Sequence, residues 1–191
     1  MRNARTQFYM KSGIYTYTKI QFDTLNPQPE DIRIEDIAHA LSMLTRANGH
    51  FPQFFSVGQH SIQCCREAME RNYVPQVALA CLLHDASEAY ISDITRPVKK
   101  DMTMYLQIEE QLQTMIYEKF LGEVPKGEAE ALVDNIDDGC LYYEFKHFMD
   151  MEMFPTAPFM VSNLNYDFNP MQEVEQEFLE LFGQLSADIR G

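Results

Sequence analysis

Residues 75–88, PQVALACLLHDASE, place two titratable side chains directly after the most apolar run of the chain. Pro75 suits the first position of a helix, and every residue from Val77 to Leu83 is small or aliphatic. His84 and Asp85 follow where this apolar helix ends, and both need polar partners if the segment is buried. The stretch predicts a mostly α-helical protein with a polar site beside its core.

A divalent metal ion would satisfy both side chains, because imidazole and carboxylate groups are ordinary ligands of Mn, Fe, Co and Zn. Glu88 follows His84 by four residues and Asp85 by three, so a helix would carry all three on one side. There Glu88 can support the ligands or act as an acid or base. A capping histidine beside a solvated aspartate is the alternative explanation of the dipeptide alone.

Two other segments offer further ligands. His60 lies in the first turns of a helix that is predicted to begin at Ser56. The segment VDNIDDGC (133–140) on a later helix carries three carboxylates: Asp134, Asp137 and Asp138. Asp137 follows an apolar column and is therefore favoured as the inward carboxylate, whereas periodicity alone also fits a solvated acidic patch.

The remaining elements follow from periodicity and turn signals. Loose alternation from Gln7 to Lys19 around Ser12-Gly13 predicts a short β-hairpin. Six helices are predicted: over about 34–44, from Ser56 to about Arg71, from Pro75, from a cap at Asp101 to Gly122, over about 126–147, and from Asn169-Pro170 onward. Residues 151–168 are predicted to form a loop. With no repeats and no linker, 1–191 is predicted to be a single domain, in which 1–30 form the hairpin and a loop and 31–191 form the helical core.

Charge narrows the range of partners. Fifteen Lys and Arg residues against 29 Asp and Glu give a formal charge of −14. Such a chain is expected to bind neither nucleic acid nor anionic membranes. The negative net charge is still compatible with a small anionic substrate, because one cation in a pocket can reverse the local potential.

Cysteine usage and the N-terminus favour a cytoplasmic protein. No apolar run is long enough to span a bilayer, and no signal peptide is recognisable. Four cysteines are present without a C-x-x-C pair, and we expect them to be reduced thiols of the core: Cys64, Cys65, Cys81 and Cys140.

The order His60, His84-Asp85, Asp137 resembles the HD-domain metal-dependent phosphohydrolases. The likeness continues through SDITRPVK (92–99) and is closest to the 5′-deoxynucleotidase branch. Upstream, IEDIAHALS (34–42), followed by Arg46 and Gly49-His50, resembles the small bacterial and phage HD hydrolases related to that branch. The likeness covers roughly residues 24–185.

This resemblance implies an HD-type helical bundle that holds one divalent ion (Mn, Co, Mg, Fe or Zn) through four ligands: His60, His84, Asp85 and Asp137. It implies that Glu88 is the catalytic acid or base and that Asp93 is a second active-site carboxylate. Three residues match substrate-binding positions: Arg46, His50 and Lys99. Arg46 would clamp the phosphate, whereas a structural His50 and a solvated Lys99 are open alternatives.

The resemblance implies a phosphomonoesterase that removes the 5′-phosphate of nucleoside or deoxynucleoside monophosphates with a metal-activated water, and it suggests a homodimer. Other phosphorylated metabolites, such as a nucleoside triphosphate or an alarmone, are an alternative, and so is a non-catalytic metal-bearing regulatory module. Ala47 stands where an aromatic residue usually follows the arginine. One of three nearby rings could replace it against a nucleoside: Phe51, Phe54 or Phe55.

Overall fold

Helices dominate residues 13–191, which are the residues that this computed structural model describes. Two short strands come first, β1 (Ile14–Tyr15) and β2 (Gln21–Phe22). The helices are α1 (Ile34–Met43), α2 (Val57–Glu70), α3 (Pro75–Leu83), α4 (Glu88–Ile91), α5 (Arg96–Lys99), α6 (Thr103–Leu121), α7 (Glu128–Met149) and α8 (Met171–Arg190). The prediction of a mostly helical domain with a short N-terminal hairpin is confirmed. The six longer helices correspond to the six predicted ones, and the four-residue helices α4 and α5 are additional.

The hairpin lies further along the chain than predicted. β1 and β2 pair antiparallel, and residues 16–20 connect them, whereas the sequence placed the turn at Ser12-Gly13. Within the turn, the amide and the hydroxyl of Thr18 donate to the carboxylate of Asp36 in α1 at 2.6 and 2.9 Å. The predicted turn was wrong because alternation along the chain does not reveal this distant partner. The predicted strand residues 7–12 lie outside the described part of the chain.

The helix ends test the predicted capping signals. The Ser56 hydroxyl accepts from the Gln59 amide at 3.0 Å, and the Gln59 side chain completes a capping box at the start of α2. Gly122 ends α6 with a left-handed φ of 84°, which glycine adopts without strain. Asp101 does not cap α6, because the N-cap position is occupied by Met102 and no side chain makes a capping hydrogen bond there.

Helix α3 lies at the centre of the hydrophobic core. All of its residues from Val77 to Leu83 are buried. α2, α7 and α8 pack around it, and α8 also packs on α1 and α2. The chain that leaves α3, starting with His84, therefore emerges inside the protein. No helix within residues 13–191 combines the length and the apolarity needed to cross a bilayer.

A glycine brings the start of α2 against α1. A Cβ on Gly58 would lie only 3.1 Å from the amide nitrogen of Ser42, so a larger residue would push the two helices apart. Close approach here places His60 within the core. The amide of Arg46 bonds to the carbonyl of Phe55 at 2.8 Å, which holds the loop between α1 and α2 at the same end of the protein.

Residues 151–170 contain no helix or strand, and side chains of α2 hold this loop. The side-chain amides of Gln59 and Gln63 donate to backbone carbonyls of the loop at 3.2 and 2.7 Å. The carboxylate of Glu67 accepts from the amides of Val161 and Ser162 at 2.9 and 2.7 Å. These bonds fix α2 and the loop relative to each other.

We predict that Glu67→Gln lowers the free energy of unfolding by about 3 kcal/mol at pH 7, because Glu67 is a fully buried, charge-paired carboxylate. Burial raises its pKa, but hydrogen bonds from Ser162, Val161 and Arg71 outweigh burial and hold the pKa below its ordinary value. The stabilisation is therefore present above about pH 4.3 and is lost as the pH falls further. Urea denaturation at pH 7 and pH 3 measures both effects.

Exposed Glu70 on the same helix provides the control. Glu70→Gln should leave the free energy of unfolding unchanged at both pH values. An equal effect of the two substitutions would contradict the assignment of Glu67 as the anchor of the loop.

Candidate metal centre

Electron-pair donors from α2, α7 and the end of α3 converge at one point. The Nε2 atom of His60 lies 3.2 Å from Nε2 of His84 and 3.0 Å from Oδ1 of Asp137. The Sγ atom of Cys64 lies 3.6 Å from the same His60 nitrogen. One donor atom from each of these four residues lies within 4.8 Å of the others, so the group can hold a metal ion.

Both imidazole rings turn Nε2 toward this centre because Nδ1 is engaged elsewhere. Nδ1 of His84 donates to the carbonyl oxygen of Cys81 at 2.8 Å, and a carbonyl can only accept. Nδ1 of His60 lies 2.6 Å from a carboxylate oxygen of Glu144. In each neutral ring Nε2 therefore carries a lone pair. Two lone pairs beside the carboxylate of Asp137 repel one another unless a cation lies between them, so the donor set fits a divalent ion.

The centre attracts positive charge. Burial and the guanidinium of Arg46 lower the pKa of His60, but the carboxylate of Glu144 and other partners outweigh them and raise it to about 9. Burial also lowers the pKa of His84, yet Asp85 and its neighbours hold it well above its ordinary value. A metal ion supplies the same charge, and it competes with protons for these rings.

Asp85 lies at the border between the centre and an arginine. Its Oδ2 is 3.2 Å from Nε2 of His84, 3.9 Å from Nε2 of His60 and 3.4 Å from Nη1 of Arg46. The structure thus brings together the four residues that the resemblance implied as ligands: His60, His84, Asp85 and Asp137. Of the neighbouring aspartates, Asp134 is exposed. That these four bind an ion stays a prediction.

Sequence reasoning missed two members of the centre. Cys64 is a free buried thiol, as expected, but it faces the histidines rather than only the core. Burial raises the pKa of its thiol well above the ordinary value, so it is protonated without a metal. Glu144 belongs to no recognised motif, although it follows Asp137 by two helical turns and therefore shares its face of α7. That spacing was the available signal.

A cavity of about 410 Å³ opens beside the centre. Its lining includes charged side chains: Arg46, Asp85, Glu88, Asp93, Arg96, Lys99 and Asp137. It also includes apolar side chains: Phe51, Leu141, Phe145 and Met153. A cavity with charged and apolar walls fits a small molecule that carries both kinds of group.

Glu88 and Asp93 both line this cavity. The predicted helix does not continue unbroken to Glu88, because residues 84–87 form turns and α4 begins only at Glu88. The buried Oε2 atom of Glu88 has no hydrogen-bond partner among residues 13–191. Burial, together with the carboxylates of Asp85 and Asp93, raises the pKa of Glu88 to about 9. Before a metal ion binds, Glu88 therefore keeps its proton at neutral pH, although Arg46 and His84 partly offset the rise of its pKa.

The guanidinium of Arg46 is held between two carboxylates. Nε and Nη2 lie 3.4 and 3.3 Å from Oε2 of Glu144, and Nη1 faces Asp85. The turn that follows is unusual, because Ala47 and Asn48 both have a left-handed φ of 50°. Ala47 and Asn48 line the cavity as a result.

The other predicted substrate-binding residues differ in position. Lys99 lines the cavity, but its Nζ lies 2.5 Å from a carboxylate oxygen of Glu109, which neutralises its charge. His50 is exposed and is absent from the described residues that line the cavity, because it ends the left-handed turn. Arg96, with a side chain 69% exposed, lies at the rim 3.7 Å from Asp137.

Of the three rings that could replace the aromatic residue missing at position 47, Phe51 lines the cavity and is 6% exposed. Neither Phe54 nor Phe55 belongs to the lining that residues 13–191 form. Phe51 packs edge-on against Phe145, whose centroid lies 5.2 Å away. The ring pair therefore forms one wall of the cavity.

Together these features define a helical protein with a buried group that can hold a metal ion, which is compatible with an HD-type fold. No protein-family model matches the chain. Over 100 residues it is 40% identical to "Uncharacterized protein YfdR" of Escherichia coli (strain K12), covering 52% of each chain. Over 107 residues it is 35% identical to an uncharacterized protein of Rhodobacter capsulatus, covering 52% of this chain and 54% of that one. The chain thus spans about half the length of the curated relatives it matches, and their names assign no activity.

We predict that Asp137→Ala weakens metal binding by more than about 100-fold, beyond the usual effect of a residue outside the ligand set. Asp138→Ala is the matched control one position along α7, and it should leave the affinity unchanged. Competition between the protein and a chromogenic chelator for Co²⁺ or Zn²⁺ measures both. A loss of metal from Asp138→Ala, or its retention by Asp137→Ala, would show that the ligand choice is wrong.

Metal binding at pH 7 is predicted to release at least one proton, because the raised pKa values of His60 and His84 keep these rings protonated before the ion arrives. The affinity should rise about tenfold per pH unit for each proton displaced, up to about pH 9. Calorimetric titration with Zn²⁺ in two buffers of different ionisation enthalpy counts the protons. An affinity that is constant from pH 6 to pH 8 would contradict this account.

Proposed function

We propose that the protein is a metal-dependent phosphohydrolase that removes the 5′-phosphate of nucleoside or deoxynucleoside monophosphates. The observation that carries this proposal is the composition of the cavity. It joins a group able to hold a metal ion to a held arginine, Arg46, and to an apolar wall that includes Phe51 and Phe145. A phosphate ester that carries an apolar ring system is complementary to both kinds of lining side chain.

The metal would be held by His60, His84, Asp85 and Asp137, which present imidazole and carboxylate donors suited to a divalent ion. When bound, such an ion supplies Lewis acidity, which makes water more acidic and stabilises charge on a phosphoryl oxygen. The chain's own residues must then bind the phosphate, orient the attacking water and supply a proton to the leaving group.

Arg46 supports phosphate binding. Its guanidinium is held on one side by Glu144, so little conformational entropy is lost when it binds an anion, and its planar fork matches phosphate oxygens. Arg96 at the rim offers a second, exposed guanidinium. These two arginines provide the guanidinium groups of the cavity, whereas the amine of Lys99 is paired with Glu109.

Glu88 is suited to proton transfer. Burial and the neighbouring carboxylates raise its pKa and so favour its protonated form, and its Oε2 has no hydrogen-bond partner within residues 13–191. In the proposed reaction it donates this proton to the 5′-oxygen as the bond from phosphorus to that oxygen breaks. Asp93 lines the same part of the cavity, and it would orient the water that attacks phosphorus.

The apolar wall supports a nucleoside. Phe51, Leu141, Phe145 and Met153 offer ring and side-chain surface where the small side chain of Ala47 offers little. A nucleobase that packs on this wall buries apolar area, and aromatic contacts add to that gain. Phe51 would thus perform the task of the aromatic residue that usually follows the arginine.

The number of available cations favours a monophosphate. A triphosphate needs several cationic groups, but each of the three basic side chains in the cavity already faces a carboxylate: Arg46 faces Glu144, Lys99 faces Glu109 and Arg96 faces Asp137. The homodimer that the resemblance suggested stays a prediction.

The direct test is phosphate release from a panel of ribonucleoside and deoxyribonucleoside 5′-monophosphates with Mn²⁺, Co²⁺, Mg²⁺ or Zn²⁺. We expect release with at least one metal and none after chelation. Ribose 5-phosphate, which lacks the base, should be a much poorer substrate. If protein that demonstrably binds metal releases no phosphate with any of these ions, the proposed reaction is wrong.

Phe145→Ala tests the apolar wall. We expect it to raise KM for nucleoside monophosphates about tenfold, equivalent to about 1.4 kcal/mol of lost apolar contact, and to leave hydrolysis of ribose 5-phosphate unchanged. Phe168→Ala is the control, because this ring is exposed and lies outside the described lining of the cavity. An equal loss on both substrates would place Phe145 in the fold rather than in base recognition.

A further inference from the structure

One buried carboxylate connects the candidate metal centre with Arg46 in the lining of the cavity. Glu144 is 0% exposed on α7. One of its oxygens, Oε1, lies 2.6 Å from Nδ1 of His60. The other, Oε2, accepts from Nε and Nη2 of Arg46 at 3.4 and 3.3 Å.

Glu144 is not among the described residues that line the cavity, and it is shielded from solvent. It therefore acts only through the groups that it touches. A buried carboxylate is costly unless charge and hydrogen bonds compensate it. Here His60 and Arg46 provide this compensation, and they belong to the two parts of the proposed site that must cooperate.

We propose that Glu144 is a positioning residue that sets the geometry of the metal centre and of the phosphate clamp together. Through Oε1 it keeps a proton on Nδ1 of His60, which leaves Nε2 directed at the other donors. Through Oε2 it holds two nitrogens of Arg46, which leaves Nη1 on the side of Asp85 and the cavity. The Arg46 part rests on the proposed function, whereas the His60 part needs only the metal centre.

The chain contains a matched control for a buried carboxylate paired with arginine. Glu67 is equally buried, and it accepts from Nε of Arg71 at 2.6 Å. Its other partners are amides of the loop 151–170. Glu67→Gln therefore reproduces the general cost of losing such a pair while leaving both contacts of Glu144 in place.

Glu144→Gln keeps the shape of the side chain but has one acceptor oxygen and one donor amide. It can satisfy His60 or Arg46 but not both. We expect the affinity of the full-length protein for Zn²⁺ to fall about 10- to 100-fold, the usual effect of removing the partner of a ligating histidine. Glu67→Gln should bind Zn²⁺ with unchanged affinity, although both variants lose thermal stability.

Binding of inorganic phosphate to the zinc-saturated proteins measures the effect of Glu144 on Arg46. Glu144→Gln should weaken phosphate binding about tenfold, because the guanidinium of Arg46 is no longer fixed, and Glu67→Gln should not change it. If Glu144→Gln does not fold, Glu144→Asp replaces it. Aspartate retains the charge but is one methylene too short to reach both partners.

Unchanged zinc affinity in the Glu144 variant overturns the proposal, and so does an equal loss in Glu67→Gln. If the Glu144 variant loses zinc affinity but binds phosphate as before, Glu144 does not couple the metal centre to Arg46. Zinc binding is measured without turnover, so it does not depend on the proposed function. If the protein hydrolyses no phosphate ester, the proposed function is wrong. The zinc titration still decides whether Glu144 positions His60.

Discussion

Two imidazole nitrogens 3.2 Å apart, with a carboxylate oxygen 3.0 Å from one of them, require a positive charge between them. The surrounding structure is arranged to hold His60 and His84 in this unfavourable proximity. The apolar helix α3 delivers His84 into the interior, and Gly58 lets α2 lie close enough to α1 for His60 to enter the core. Hydrophobic burial of α3 and its neighbours holds these donors together, and before a metal ion binds, protons on the imidazole rings supply the positive charge.

Part of the negative charge of the chain lies at the cavity and the metal centre. Several of its 29 acidic residues line the cavity or the centre: Asp85, Glu88, Asp93, Asp137 and Glu144. Arg46 and the protonated rings of His60 and His84 balance only part of this negative charge. A bound cation would complete the balance and make an anionic substrate acceptable in an otherwise acidic protein. The net charge of −14 therefore disfavours polyanions at the surface without opposing a phosphate in the cavity.

Features encoded by local pattern were predictable. Apolar periodicity located the longer helices, and the capping box at Ser56 and the glycine at position 122 marked their ends. The apolar column before Asp137 distinguished it from its neighbours, and the structure places it among the donors.

Features that depend on distant partners were not predictable. The hairpin turn is fixed by a contact between Thr18 and Asp36. Cys64 lies in the sequence context of a core residue. It becomes part of the centre only because α3 and α7 approach it. His50 lies outside the cavity because Ala47 and Asn48 adopt left-handed backbone conformations, which their residue types do not signal. Glu144 was hidden among the aromatic residues of α7, although its spacing from Asp137 was available.

We infer that His60, His84 and Asp137 converge to bind a metal ion. Anomalous X-ray diffraction from crystals grown with Zn²⁺ tests it most directly. We expect one strong anomalous peak about 2.0–2.2 Å from Nε2 of both histidines and from a carboxylate oxygen of Asp137. A zinc ion bound only at surface carboxylates, or no anomalous peak between the two imidazole rings at saturating zinc, would contradict it.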